Sequence, residues 1–325
     1  MLPAFHGERI DRYRAIMRAA TERAIASWPA GEPFALRPHA QAITLEVIMR
    51  AVFGVQDAAA MARLREPLRR LLDWAGEPGA LFILAVLGPQ NRIVRRLLAE
   101  RYVGPVDREL YALIAERRAA PDLAERDDVL STLMLARDED GEAMTDVELR
   151  DELLTLLVAG HETTATSLAW AVERLLRHPG GLERLAGDAE YTEAVVKEIL
   201  RLRPVVAIVL RKLLEPLAIA DGELPAGTTV APCILLVHRR EDVYPDPEAF
   251  RPERFLGKAP GTYSWIPFGG GVRRCLGAAF AQVEMQVVLQ TLAESARLEP
   301  VGDDEGPRRR GVTLVPARGA LVRTA

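Results

Sequence analysis

The stretch Phe268-Gly269-Gly270-Gly271-Val272-Arg273-Arg274-Cys275-Leu276-Gly277 decides how this chain is read. It sets one cysteine on a glycine-rich loop, with two arginines before it and an apolar run, Ala278 to Leu292, after it. The run reads as a helix, so the thiol lies at the positive end of a helix dipole and beside guanidinium charge. Both favour the thiolate. A thiolate is a nucleophile or a soft metal ligand. Three consecutive glycines let backbone approach something flat or bulky. That argues against an inert buried cysteine, the commoner fate of a lone one.

Three partners for such a loop can be weighed from residue types. A phosphate needs the Gly-Lys-Ser/Thr ending of a phosphate loop, which is absent. Zinc needs companion ligands, yet the other cysteine is Cys233, with no Cys-x-x-Cys or His-x-x-x-His nearby. A cysteine nucleophile needs a histidine base. None of His6, His39, His161, His178 and His238 is local to Cys275, and a pairing made by folding stays open. A single thiolate without companion ligands fits haem iron, where the porphyrin supplies the other four donors.

The run resembles the Phe-x-x-Gly-x-Arg-x-Cys-x-Gly signature of the cytochrome P450 family, the haem-thiolate monooxygenases, at each fixed position. The resemblance covers nearly the whole chain. It implies a mainly α fold with a minor β portion, haem b with an axial thiolate from Cys275, and electron donation from that sulfur toward O–O cleavage. It also implies that Met1-Leu2-Pro3-Ala4-Phe5-His6-Gly7 corresponds to an interior segment of family members. On that expectation the P450 fold is N-terminally incomplete, without the first strands, a loop over the distal pocket and a helix bearing His or Arg toward the haem propionates.

Composition is ordinary for a globular chain: 325 residues, 49% hydrophobic and 27% charged, ample for a large core. A net charge of −4 offers no broad basic field for nucleic acid. Two cysteines fit a reducing compartment, and a cytoplasmic location is expected. No run approaches the roughly 20 apolar residues of a membrane helix. No linker marks a boundary, so residues 1–325 read as a single domain.

Helical periodicity runs through Gly7 to Ser27, Ala40 to Phe53, Ala58 to Leu72, Ile93 to Arg118 and Asp127 to Arg137. Gly76 to Pro89 breaks the pattern and holds Leu81-Phe82-Ile83-Leu84, read as core packing or as an entrance loop or membrane-touching patch. Thr145-Asp146-Val147-Glu148 is a capping box opening the longest helix, of about 30 residues, which His178-Pro179-Gly180-Gly181 stops. Its centre, Leu153 to Gly160, is apolar almost all round and should be buried. A further helix is expected over Tyr191 to Leu202. Strands are expected at Val205 to Val209, Leu217 to Ile219 and Thr228 to Val230, and a terminal hairpin over Gly311 to Val322.

Ala159-Gly160-His161-Glu162-Thr163-Thr164 places a carboxylate and hydroxyls mid-way along that helix, where they are costly unless paired. Gly160 removes bulk where a flat cofactor can approach. The segment is similar to the family's Ala/Gly-Gly-x-Asp/Glu-Thr pattern. The resemblance implies that Thr163 hydrogen-bonds dioxygen and that Glu162 helps relay protons. His161 reads as packing and Thr164 as a candidate pocket residue. Glu198-Ile199-Leu200-Arg201 puts opposite charges on one helix face, and Pro252-Glu253-Arg254-Phe255 follows. In the family these close a buried network, so Glu198, Arg201 and Arg254 are expected to fix the ligand loop. Arg273 and Arg211 are expected to hold the haem carboxylates by guanidinium pairing. Phe268, Gly269 and Gly277 are expected to pack near the thiolate, with Ala159 and Gly160 opposite.

The resulting expectation is a monooxygenase that places one oxygen atom in a small apolar organic substrate and releases the other as water. Dioxygen is a co-substrate. Electrons would come from a separate partner, a ferredoxin with its reductase. The rival from another class is an N-terminally truncated, non-catalytic P450 remnant, or a haem protein that binds ligands without turnover.

Overall fold

Helix α1, Arg9–Ile25, opens the described part of the chain. The computed structural model describes residues 9–75, 96, 99–220 and 222–325. Tyr13, Met17 and Ala20 recur at helical spacing and are buried, which makes one stripe of α1 a packing face. Strand β1, Phe34–Ala35, leads into α2, Leu36–Ala51, which buries residues on nearly all sides, from Leu36 and Ala40 through Ile43, Val47 and Ile48. Helix α3, Ala58–Ala75, buries only Met61, Leu64, Leu68 and Leu71, a single stripe with charge opposite. The expected segment Gly76 to Pro89 lies outside the described residues. A π turn, Ala99–Val103, runs into α4, Gly104–Ala119, so the described part of the expected Ile93 to Arg118 helix is not one regular element.

Helix α5, Val129–Leu135, is capped by the Asp128 side chain, which accepts from the Ser131 N–H at 2.9 Å. Helix α6, Asp146–Leu175, has 30 residues and the expected capping box, with the Thr145 N–H donating to Glu148 at 2.8 Å. At 1.5 Å per residue it spans about 45 Å. Helix α7, Ala189–Leu202, is capped by Asp188. The second half continues with β2, Arg211–Lys212; β3, Leu217–Ile219; β4, Gly222–Leu224; and β5, Thr229–Val230. Then come the short α8, Ile234–His238, and α9, Ala278–Ser295. The chain ends in β6, Leu298–Pro300; β7, Pro307–Arg310; β8, Thr313–Pro316; and β9, Leu321–Thr324.

Pairing in the small sheets is antiparallel: β1-β9-β6, β2-β5, β3-β4 and β7-β8. The expected strand at Val205 to Val209 is not formed. Those residues make isolated bonds instead: Ile208 bridges Cys233, the Leu235 N–H donates to Ala207, and the Leu314 N–H donates to Val205. A β-branched run can satisfy its backbone piecemeal when it is wedged between elements. The terminal hairpin begins earlier than expected. It pairs β7 with β8 around Gly311 (φ 59°), and β9 leaves it to pair between β1 and β6.

Burial along α6 also departs from the sequence reading. Leu153 and Leu157 are buried, but Val158 is 44% exposed and Ala159 is exposed as well. Full burial begins at Thr164 and runs to Glu173. Helix α2 packs along one side of α6, and no described residue covers Val158 and Ala159 on the other. No described helix is long and apolar enough to cross a membrane.

Candidate active site

The ligand loop is shaped by glycine. Gly269 and Gly271 have φ of 69° and 67°, a region that side chains make costly. The loop folds back through the Gly269 N–H to the Ile266 carbonyl (2.9 Å), the Arg274 N–H to Gly271 (3.1 Å) and the Cys275 N–H to Phe268 (2.9 Å). Among the described residues, no atom beyond the chain neighbours lies within 4 Å of the Cβ position at Gly269, Gly270, Gly271 or Gly277. Gly277 is the N-cap residue of α9. Cys275 is thus presented on an exposed, flat turn with its backbone fixed.

Desolvation by surrounding atoms nevertheless pushes the thiol above its usual value, and the Gly277 N–H and the Arg274 charge pull only partly the other way. The sequence reading favoured the thiolate outright. Burial opposes that preference, and a metal bound at the sulfur displaces the proton. Among the described residues no group of three or more His, Cys, Asp and Glu could hold a metal. A metal at Cys275 would therefore need its remaining donors from a cofactor, and a sulfur on a glycine-lined face fits a planar macrocycle.

Behind the loop lies a closed polar network. Glu198 and Arg201 are both 0% exposed and joined by two bonds, at 2.7 and 2.8 Å. Arg201 also donates to the carbonyls of His238 (2.9 Å), Pro247 (2.8 Å) and Ala249 (3.3 Å). Glu198 accepts from the Arg251 N–H at 2.8 Å, and Arg254 Nε lies 3.5 Å from it as an ion pair without hydrogen-bond geometry. Arg254 instead donates to the Asp246 carbonyl at 2.8 Å. The expected trio is therefore assembled, with Arg254 as the outer member.

His238 completes the link to the loop and was not singled out from sequence as a network member. Burial pushes its pKa down to about 4, so the ring is neutral at pH 7. Its Nε2 accepts the Ile266 N–H at 2.9 Å, which assigns the proton to Nδ1, a donor to the Arg201 carbonyl at 3.2 Å. Ile266 begins the turn that carries Phe268. The Phe268 ring sits edge-on to Trp265 at 6.0 Å, and Trp265 Nε1 donates to the Lys197 carbonyl at 3.0 Å.

On α6 the Thr163 hydroxyl donates to the Ala159 carbonyl at 2.7 Å, the one-turn-back bond available to helical threonine. Gly160 packs closely on α2. A Cβ there would meet Ile48 Cδ1 of α2 at 3.2 Å, so the missing side chain serves the close packing of α2 on α6. His161 is buried, as its packing assignment implies. It contacts the Thr44 hydroxyl at 3.0 Å, and burial lowers its pKa to about 4. Thr164 is buried. Glu162 reaches across to α2, where it accepts from Arg37 at 2.8 Å and Gln41 at 2.5 Å, and Arg310 of β7 lies 3.9 Å away. Arg37 and Gln41 carried no local signal in the sequence.

Arg211 and Arg273 form no ion pair among the described residues; Arg211 donates only to its neighbour Leu210 at 2.9 Å. Two guanidinium groups with no carboxylate partner among the described residues fit the haem carboxylates in chemistry. Large apolar side chains are exposed on the segment after α7 and on the β7–β8 turn: Ile208 at 51%, Leu210 at 66% and Val312 at 76% exposure.

Residues 1–322 match the cytochrome P450 family model, and the chain belongs to that family. Cytochrome P450 135B1 of Mycobacterium tuberculosis is 46% identical over 338 residues, covering 99% of this chain and 70% of the relative. Cytochrome P450 137 of the same species is 43% identical, covering 99% and 69%. Among solved structures, CYP175A1 of Thermus thermophilus superposes with a TM-score of 0.76 at 29% identity, covering 98% of this chain and 74% of that one. The retinoic acid-bound cyanobacterial CYP120A1 superposes with a TM-score of 0.81 at 25% identity, covering 100% and 76%. The fold is thus the P450 fold, the cofactor is haem with an axial cysteine thiolate, and the family's reaction is haem-dependent monooxygenation.

Proposed function

We propose that this chain inserts one atom of dioxygen into an apolar organic substrate, with Cys275 as the thiolate ligand of haem b. The observation that carries the assignment is the Cys275 turn: an exposed sulfur on a glycine-lined face, its backbone fixed by the Phe268 carbonyl, with no metal-binding group of His, Cys, Asp and Glu among the described residues. Bound there, the haem supplies the activation of dioxygen. Arg273 and Arg211 would hold its carboxylates, and Phe268, Gly269, Gly277, Ala159 and Gly160 would pack against it.

The protein's own chemistry is proton delivery and substrate burial. The Thr163 hydroxyl donates to Ala159, and its lone pairs remain free to accept a donor. Glu162, at 22% side-chain exposure, is wet enough to exchange a proton with solvent and hand it toward Thr163. The acid goes from carboxylate to carboxylic acid and back, with no net change. Glu198, Arg201 and Arg254, with His238, hold the ligand turn.

An apolar substrate class is supported by Val158, Ile208, Leu210 and Val312, large side chains left open on α6, on the segment after α7 and on the β7–β8 turn. The cyanobacterial relative holds retinoic acid, a largely apolar molecule. Electrons come from a separate partner, a ferredoxin with its reductase. Residues 1–325 act as one domain. The test is turnover of the haem-loaded chain with a ferredoxin system, an apolar substrate panel and ¹⁸O₂. One labelled oxygen atom in the product is expected; consumption of dioxygen with no labelled product across the panel contradicts the reading.

A further inference from the structure

The network behind the ligand turn is bordered by two arginines that it does not use. The Arg201 guanidinium donates to the His238 carbonyl at 2.9 Å, and His238 Nδ1 donates to the Arg201 carbonyl at 3.2 Å, so the ends of α7 and α8 lie side by side. An arginine caps each end: Arg203 on α7 and Arg239 on α8. Arg203 forms no ion pair among the described residues. Its guanidinium stands 5.3 Å from the Trp170 ring of α6, and within that set it hydrogen-bonds only the Leu202 carbonyl, at 3.4 Å. Arg239 pairs with Glu248 at 2.6 Å, at side-chain exposures of 34% and 63%. The Nε of each arginine is buried without a hydrogen-bond partner.

A shielded guanidinium without a counter-charge is costly, and an unpartnered polar atom inside a protein calls for a water or an ion. The nearby acids do not meet that need. Glu173 is held by Arg174, Arg177 and the Glu305 N–H, and Glu248 by Arg239. Burial and the charges of Arg174 and Arg239 work against the charge on Arg203, and Glu173 and Glu248 offset them only in part. We propose that Arg203 and Arg239 form a binding site for a small oxyanion, which locks the ends of α7 and α8 together. A guanidinium fork matches two oxygens of a phosphate or a carboxylate. On Arg239 the ion replaces Glu248, the exposed partner. Arg203 follows Arg201 by two positions and Arg239 follows His238 by one, so the ion tightens the residues from which Ile266 and the ligand turn hang. The anion site does not depend on the reading of Cys275 as haem ligand; its effect on haem does.

The test titrates inorganic phosphate, and separately acetate, into the haem-loaded chain, with sodium chloride holding ionic strength constant. Two readouts are used: the ¹⁵N shifts of the Arg203 and Arg239 Nε–H groups, and the rate of haem transfer to apomyoglobin. A saturable shift of both groups is expected, with a millimolar midpoint, and haem transfer slows several-fold at saturation. The tighter of the two anions names the source. Arg203→Gln and Arg239→Gln each abolish the slowing. Arg203→Lys keeps the charge without the fork and weakens binding. Arg240→Gln, at an exposed arginine paired with Asp242, retains both responses. Shifts that fail to saturate, an unchanged transfer rate at saturation, or slowing that persists in Arg239→Gln overturns the proposal. Arg239 is part-exposed, so that variant decides the matter even where Arg203→Gln fails to fold. If the chain takes up no haem, the reading of Cys275 fails while the Nε shifts still decide the anion site.

Discussion

Two glutamate–arginine pairs flank this site, and they are built differently. Glu198 and Arg201 share one helix, are 0% exposed, and are further held by three backbone carbonyls and a backbone N–H. Glu162 and Arg37 come from two helices, keep 22% and 12% side-chain exposure, and among the described residues have only the side chains of Gln41 and Arg310 beside them on Glu162. Each glutamate has a second arginine within 4 Å. The same ion-pair chemistry serves two ends. Sealed from water and bonded to backbone, it fixes a loop. Left at a wet edge and held by side chains alone, it can exchange partners. The difference lies in burial and in whether backbone or side chains complete the pair.

The largest effect should come from opening the sealed pair. Arg201→Ala leaves Glu198 charged and buried without its main partner, and such losses cost roughly 3–5 kcal/mol. Denaturant unfolding should show that loss together with poor haem retention, because His238 and Ile266 lose their anchor. A loss below about 1 kcal/mol would mean that the two pairs are not different in kind.

The next effect is a pH profile that both regions share. His161 on the Glu162 side and His238 on the Glu198 side are each neutral in the fold, with pKa lowered from 6.5 to about 4 by burial. Between those values the unfolded chain binds more protons, so stability falls as pH drops from 6.5 to 4, by up to about 1.4 kcal/mol per pH unit for each histidine. Glu284 of α9 works in the opposite sense. It is wholly buried, its Oε1 has no hydrogen-bond partner, and its pKa is raised from 4.5 to about 8. The fold keeps its proton where the unfolded chain has lost it, so stability declines as pH rises from 4.5 to 8. From these three groups alone, two histidines outweigh one glutamate below pH 6.5, and maximum stability falls near 6.5. Thermal unfolding across pH 4–9 checks this. Glu284→Gln should remove the descending limb and leave the acid limb in place.

The smallest effect sharpens the contrast directly. Glu162→Gln keeps an acceptor for Arg37 at a partly exposed site, and its stability cost should stay within about 1 kcal/mol, the range of pairs that water screens. Urea unfolding of this variant beside Arg201→Ala gives the ratio that the comparison rests on.

Legibility in the sequence followed the reach of each contact. The Cys275 turn, the Thr145 capping box and the Glu198–Arg201 pair are written within ten residues or fewer, where spacing marks the capping box and the family resemblance marks the other two. Arg37 and Gln41 meet Glu162 across 125 and 121 residues, and His238 meets Arg201 across 37, so no local pattern could announce them. Gly160 was noticed for its missing bulk, and Ile48 of α2, 112 residues away, is a neighbour that uses the space and that no local pattern could name. The run from Val205 to Val209 had strand composition, yet its backbone partners are scattered over Pro232, Leu235 and Leu314. The apolar centre of α6 looked buried because composition does not say which face a neighbouring helix covers.

The claim beneath all of this is that Cys275 sulfur is the metal's protein ligand. A reduced-CO difference spectrum of the haem-loaded chain beside Cys275→Ala tests it most directly. The account predicts the thiolate-haem band in the parent and its loss in the variant, with haem still titratable in both. A thiolate-type band that persists in Cys275→Ala contradicts it.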